Sequence, residues 1–185
     1  IPGNKLDWIA KTFKKGADSI ILDLEDSVPE SEKLEARENL SNHLNDNHYE
    51  NLIVRVNPVS EKTGQEDIES LAKYHKSISA FMLPKIETSS LIANLPSINV
   101  IALLETPISI KNISDIAAEE KVVGLALGGA DLSASLGSTM DWDALLYSRS
   151  KIVQEAAINN LFTIDSPFME ISELLALEEE STRSK

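Results

Sequence analysis

At 185 residues, 42% of them hydrophobic, the chain is long enough for one substantial core, and a single domain is expected. A formal net charge of −13, from 30 acidic against 17 basic residues, argues against binding a nucleic-acid backbone, which needs clustered lysine and arginine. There is no cysteine, which excludes disulfides, thiolate zinc sites and a thiol nucleophile.

Short β-branched runs alternate with longer amphipathic segments, an order that favours parallel β/α architecture. Leu6–Lys15 reads as a helix, then Ser19–Leu24 as a strand and Ser31–Leu44 as a second helix. The strand Leu52–Asn57 leads to a helix over Gln65–Lys76, and the strand Ala80–Leu83 to one over Ser89–Leu95. Asn99–Leu104 is the fourth strand, Ser109–Glu119 its helix, and Val122–Leu127 the fifth strand. The helical pattern Trp142–Asn159 and the strand Leu161–Ile164 precede a last helix from near Met169 into Glu178–Glu180. No apolar run approaches the roughly 18–20 residues that span a bilayer, and from Ile1 onward no charged-then-apolar leader is read. No membrane association is expected, and the pattern fits a cytoplasmic enzyme.

Several strands are almost continuously apolar, as Ile98–Leu104 shows, and strands covered on both faces look like that. A dinucleotide-binding sheet should carry a glycine-rich turn after its first strand, and here acids stand there instead. Polar residues collect at the carboxyl ends of nearly every strand: Asp23, Glu25 and Asp26, then Arg55 and Asn57, Lys85, Glu105, Asp131 and Asp165. A barrel gathers the ends of different strands around one mouth, so the distribution favours an α/β fold of the TIM (β/α)8 type. Six strands fall short of eight. Residues 1–185 are therefore read as one barrel domain, incomplete at both ends.

Glu105 ends an apolar strand, and Asp131 follows Gly128-Gly129-Ala130 after the next one. Two carboxylates at one mouth repel each other unless something neutralises them. Mg²⁺ suits, since it takes one or two protein carboxylates and leaves positions for substrate oxygens and water. The plainer alternative is that each acid caps the following helix, as Asp131 would for a segment beginning at Leu132. The glycine pair lets backbone approach a ligand and aims N–H groups at an anion, or is simply a tight turn. Arg55, at a strand position that should be buried, needs a partner. That partner is a ligand carboxylate held bidentately, or Asp23 or Glu25 in an ion pair. Lys85 is a candidate for Schiff-base chemistry, for neutralising the site, or for an ion pair. His43, His48 and His75 show no metal-like spacing and read as surface residues.

Pro2-Gly3-Asn4, Gly16-Ala17-Asp18 and Ile21-Leu22-Asp23-Leu24-Glu25-Asp26-Ser27-Val28-Pro29 resemble the opening of the citrate lyase β-subunit/malyl-CoA lyase family, within the HpcH/HpaI aldolase/citrate lyase superfamily. Val54-Arg55-Val56-Asn57-Pro58, Leu83-Pro84-Lys85-Ile86-Glu87, Leu104-Glu105-Thr106 and Leu127-Gly128-Gly129-Ala130-Asp131-Leu132 match later motifs in order. Arg149, Ala156-Ala157 and Ile164-Asp165-Ser166-Pro167 extend the match along nearly the whole chain.

The resemblance implies a TIM barrel in which Glu105 and Asp131 ligate Mg²⁺ and Arg55 binds the keto-acid carboxylate. The Gly129-Ala130 loop gives backbone N–H contacts to the same ligand, and Glu25 and Asp26 sit in the metal's outer shell through water. It further implies cleavage of a citryl- or malyl-type 3-hydroxy-acyl thioester, carried on CoA or an acyl-carrier protein, to acetyl thioester and a keto acid such as oxaloacetate, or glyoxylate. A homo-oligomer, trimer or hexamer, is expected, because in malyl-CoA lyase relatives an acid from a neighbouring subunit's C-terminal region completes the site. Nothing after Asp165 matches that acid. Two alternatives are a class II hydroxy-keto-acid aldolase and a non-catalytic subunit of a citrate lyase complex. The aldolases carry an acid-His pair where this chain has Glu25-Asp26, and the intact Arg55, Glu105 and Asp131 speak against the subunit.

Overall fold

A computed structural model describes residues 1–170 and 172–185. Its strands are β1 (Ile20–Asp23), β2 (Leu52–Arg55), β3 (Ala80–Leu83), β4 (Val100–Leu104), β5 (Val122–Leu127) and β6 (Phe162–Ile164). They form one six-stranded sheet in chain order, every neighbouring pair parallel. A doubly wound sheet reverses its strand order at a switch point, and this one never does. Ile21 of β1 and Ile164 of β6 line one cleft, so the sheet curls toward itself. Among the described residues β6 does not pair with β1. The expected closed barrel is thus present as a curved, six-stranded parallel part. Ile1–Gly3 runs along the outer edge of β1: Asp23 N–H donates to the Ile1 carbonyl (2.9 Å) and Gly3 N–H to the Asp23 carbonyl (2.7 Å).

The strands look continuously apolar because both faces are covered, by different partners. Ile53, Ala80, Met82, Ile101, Leu103 and Ala126 pack together on the inner face with Ile21, Val123 and Ile164. Leu22, Val54, Phe81, Leu83, Ala102, Leu104 and Leu125 point outward into the larger core. Side chains alternate along a strand. Asp23 after Ile21, Arg55 after Ile53 and Glu105 after Leu103 therefore continue the inner face past its apolar floor.

The outer layer is α1 (Trp8–Phe13), α2 (Lys33–Asp46), α3 (Lys62–Leu71), α4 (Ser90–Ala93), α5 (Pro107–Lys111), α6 (Ile113–Ala117), α7 (Gly129–Leu136), α8 (Trp142–Asn159) and α9 (Leu174–Arg183). The helix expected over Gln65–Lys76 instead begins at Lys62 and gives way after Leu71 to a short 3₁₀ turn. Ser109–Glu119 divides at Asn112, whose side-chain amide donates to the Glu87 carbonyl at 2.8 Å. The segment read as a glycine loop is the start of α7, which begins at Gly129 rather than Leu132 and stops at Gly137, φ +64°. α9 begins at Leu174, and the expected start near Met169 runs across Ile171, which lies outside the described residues. The strand Leu52–Asn57 is shorter than expected, because past Arg55 the chain turns to a buried network. Asp67 accepts from both the backbone N–H and the side-chain amide of Asn57 (2.9 and 2.7 Å) and from Arg37 (3.0 Å).

Candidate active site

At the end of β1, Asp23 accepts hydrogen bonds from the N–H groups of Glu25 and Ser27, both at 3.0 Å. Across the ladder, Arg55 lies opposite Asp23 in register and grips it two-pronged, Nε at 2.6 Å and Nη2 at 2.7 Å. Burial would raise the Asp23 pKa, but the Arg55 and Ser27 hydrogen bonds and the Arg55 charge hold it down at about 2. The same carboxylates outweigh burial and push the guanidinium above its ordinary value. Arg55 Nη1 also stands 3.2 Å from Asp26 Oδ2 and 3.1 Å from Glu25 Oε2. The ion pair considered from the sequence is therefore formed, while the guanidinium still lines the cleft.

Glu25 is buried, and its Oε2 accepts no hydrogen bond despite the nearby Nη1, which is misaligned for one. Its Oε1 lies 3.3 Å from Lys85 Nζ. Burial raises the Glu25 pKa, with the Asp26 charge adding to it against Arg55 and Lys85. Lys33 pins this loop from outside, donating to the carbonyls of Leu24 (3.2 Å) and Glu25 (2.9 Å) and to Asn57 Oδ1 (2.6 Å).

Lys85 is one of two non-glycine residues with positive φ among those described, at 53°. Such a backbone costs about 1–2 kcal/mol. Its N–H donates to Glu105 Oε1 at 2.7 Å, which ties the end of β3 to the end of β4. Burial would lower the Lys85 pKa, but Glu25, Glu105 and Asp26 raise it. It stays an ammonium at neutral pH, paired with Glu25 rather than free as a Schiff-base amine.

Glu105 is 2% exposed. Burial first, then the charges of Glu25 and Asp131, push its pKa up to about 7, against the Lys85 N–H and Arg55. Asp131 hangs exposed from the first turn of α7, a favourable place for an acid at a helix N-terminus. Gly128 makes room for Glu105: a Cβ there would lie 2.4 Å from Glu105 Cβ and 2.7 Å from its Oε2. The Gly129 N–H is given to Ser166 Oγ (2.6 Å), whose own hydroxyl donates to the Leu127 carbonyl (2.9 Å). Asp165 is held by Arg149 Nε at 3.0 and 3.1 Å.

Arg55, Asp26, Glu105, Gly129, Ala130 and Asp131 all line one cleft of about 400 Å³. Glu25 lies beneath it, and Lys85 joins it through Glu25 and Glu105. The donor set is all oxygen, and a buried carboxyl near neutral pKa beside a second acid is a place that a hard cation relieves. No group of three His, Asp or Glu converges among the described residues; Mg²⁺ takes as few as one or two protein carboxylates, and with Glu105 and Asp131 as those two, water and substrate would complete the set. The residues fit Mg²⁺. Sequence reasoning missed Lys33, which reads as an ordinary helix residue, and Ser166, which reads as part of a turn.

Over residues 1–184 the chain matches the family model described as HpcH/HpaI aldolase/citrate lyase. It is 34% identical over 151 residues to a (3S)-malyl-CoA thioesterase of Cereibacter sphaeroides, covering 78% of this chain and 52% of that protein. The chain thus spans about half the length of that relative. A solved citrate lyase beta subunit from Mycobacterium tuberculosis, complexed with oxaloacetate and magnesium, is 31% identical with a TM-score of 0.86. The match covers 97% of this chain and 82% of that one. Protein CitE from the same organism, in complex with magnesium, acetoacetate and coenzyme A, gives 31% identity, a TM-score of 0.86 and coverage of 97% and 68%.

Proposed function

The chain belongs to the HpcH/HpaI aldolase/citrate lyase family, and from that premise we propose that it carries the metal and keto-acid half of a carbon–carbon lyase. The substrate is a 3-hydroxy-acyl thioester of the citryl- or malyl-CoA type. The observation that carries this is the placement of Glu105 and Asp131 on one cleft with Arg55. Glu105 and Asp131 would hold Mg²⁺. When bound, the ion polarises the oxygen that becomes the ketone or aldehyde.

Arg55 keeps Asp23 along its Nε–Nη2 edge and turns its remaining N–H groups to the substrate carboxylate, which fixes the bond to be broken. The Ala130 N–H lies in the first turn of α7, where no intrahelical carbonyl is in reach, and donates to the same ligand. Asp26, which lines the cleft beside Arg55, takes the hydroxyl proton, and Glu25 beneath it steadies Arg55 and Lys85. The carbon–carbon bond then breaks, its electrons pass into the thioester as an enolate, and protonation gives acetyl thioester. The aldolase reading needs a histidine at the mouth, and none lines the cleft among the described residues.

Calorimetry with Mg²⁺ and oxaloacetate tests the binding half. Arg55→Lys should weaken oxaloacetate at least tenfold, because an ammonium cannot serve a planar two-pronged contact. Unchanged affinity would count decisively against the role of Arg55. Incubating purified protein with malyl-CoA separates the chemistries: acetyl-CoA and glyoxylate mark a lyase, malate and free CoA a thioesterase.

A further inference from the structure

Ser166 takes no part in that chemistry, yet among the described residues it is the side chain whose hydrogen bonds join the end of β6 to the start of α7. Its Oγ accepts from the Gly129 N–H at 2.6 Å and donates to the Leu127 carbonyl at 2.9 Å. The hydroxyl thus closes a bridge across Gly128, between the last residue of β5 and the first of α7. The fit is tight from both sides, since a Cβ on Gly129 would lie 2.3 Å from Ser166 Oγ. Ser166 is itself fixed, because its N–H donates to Asp165 Oδ1 at 2.8 Å and Asp165 is gripped by Arg149. Two residues beyond Gly129 stands Asp131, and Gly128 carries Glu105 against its open face.

We propose that Ser166 is a positioning residue for the metal pair, its hydroxyl setting where α7 begins and hence where the Asp131 carboxylate stands relative to Glu105. This rests on the reading that Glu105 and Asp131 hold Mg²⁺. It follows that the Gly129 N–H is a structural donor and stays with Ser166 when a ligand binds. The ligand contact that the sequence assigned to Gly129 and Ala130 together then falls to Ala130.

The test uses the full chain with Mg²⁺ and oxaloacetate as probes. Ser166→Ala should weaken Mg²⁺ about tenfold while melting in chelator within a few degrees of the unaltered protein. Ser166→Thr, which keeps the hydroxyl, should restore the affinity. A purely structural role would lower the melting temperature without moving the Mg²⁺ affinity of the folded protein, nor would it be rescued by threonine. In the unaltered protein, hydrogen exchange at the Gly129 amide should be slow both before and after Mg²⁺ and oxaloacetate are added. An amide that exchanges freely, or becomes protected only with oxaloacetate, overturns the proposal even where Ser166→Ala fails to fold. Mg²⁺ affinity equal to the unaltered protein in Ser166→Ala overturns the role of Ser166 alone. An unaltered protein that binds no Mg²⁺ overturns the parent reading and this proposal with it.

Discussion

Glu105 is where burial and function oppose each other most directly. Its folded pKa of about 7 lies above the 4.5 of a free glutamate, so between those values the folded state holds more protons than the unfolded one. Stability therefore falls as pH rises from 4.5 through about 7, by up to ~1.4 kcal/mol for each pH unit crossed. Glu105→Gln should remove that fall and melt higher than the unaltered protein at pH 8. It should also lose Mg²⁺ binding, a trade of function against stability. In the unaltered protein, proton and cation compete for the same oxygens, so Mg²⁺ affinity should rise with pH below 7 and level off above it. Calorimetry at pH 6, 7 and 8 checks this, and a flat profile would sink the metal role of Glu105. Asp23 runs the other way. Held down at about 2 from 3.8, it contributes stability that is present above pH 4 and lost as the pH falls toward 2. At this scale the sequence was legible in part. A charged residue ending an apolar strand announces itself, as Glu105 and Arg55 did. The left-handed backbone of Lys85 and the bridge made by Ser166 were not legible, because both depend on which atoms meet between strands far apart in sequence.

Elements follow the same division. Strand existence was readable from β-branched runs, and α8 begins and ends at the residues its pattern indicated. Boundaries failed where a tertiary partner overrides local preference: at Asn57, claimed by Asp67, and at Asn112, claimed by Glu87. The start of α7 was hidden because two glycines read as a loop, whereas close packing is what demands them. Gly128→Ala tests that demand. Its Cβ would lie 2.4 Å from Glu105 Cβ, an atom that no side-chain rotation can move, so the turn before α7 must part from the end of β4 and carry Asp131 away from Glu105. The variant should fold, lose about 1–3 kcal/mol to overpacking, and bind Mg²⁺ at least tenfold more weakly. Tight Mg²⁺ binding in Gly128→Ala would show that Glu105 is not a ligand.

Taken whole, the fold's strand order was legible because each strand is followed by its own helical segment and the next strand pairs beside it. Closure was not, since pairing of first and last strands leaves no mark on the local pattern. The terminal helix α9 is likewise attached by few but specific contacts. Glu180 meets Arg149 at 3.3 Å, Ser184 meets Asp165 at 2.8 Å, and the Arg183 guanidinium lies 5.8 Å from the centre of the Trp142 ring, which Arg149 flanks at 4.6 Å. Elements held so lightly open before the rest of a fold. The protein has two tryptophans, Trp8 and Trp142, so a Trp8→Phe variant reduces its ultraviolet emission to a single indole sitting beside two guanidinium groups. That indole is a built-in optical gauge of whether the terminal helix is seated. Its emission should shift in mild urea before the far-ultraviolet dichroism does, and a shift that merely tracks global melting would show the helix to be part of the cooperative core. Because Asp165 borders the cleft and answers to the same arginine, the gauge also offers a dye-free way to watch ligands arrive.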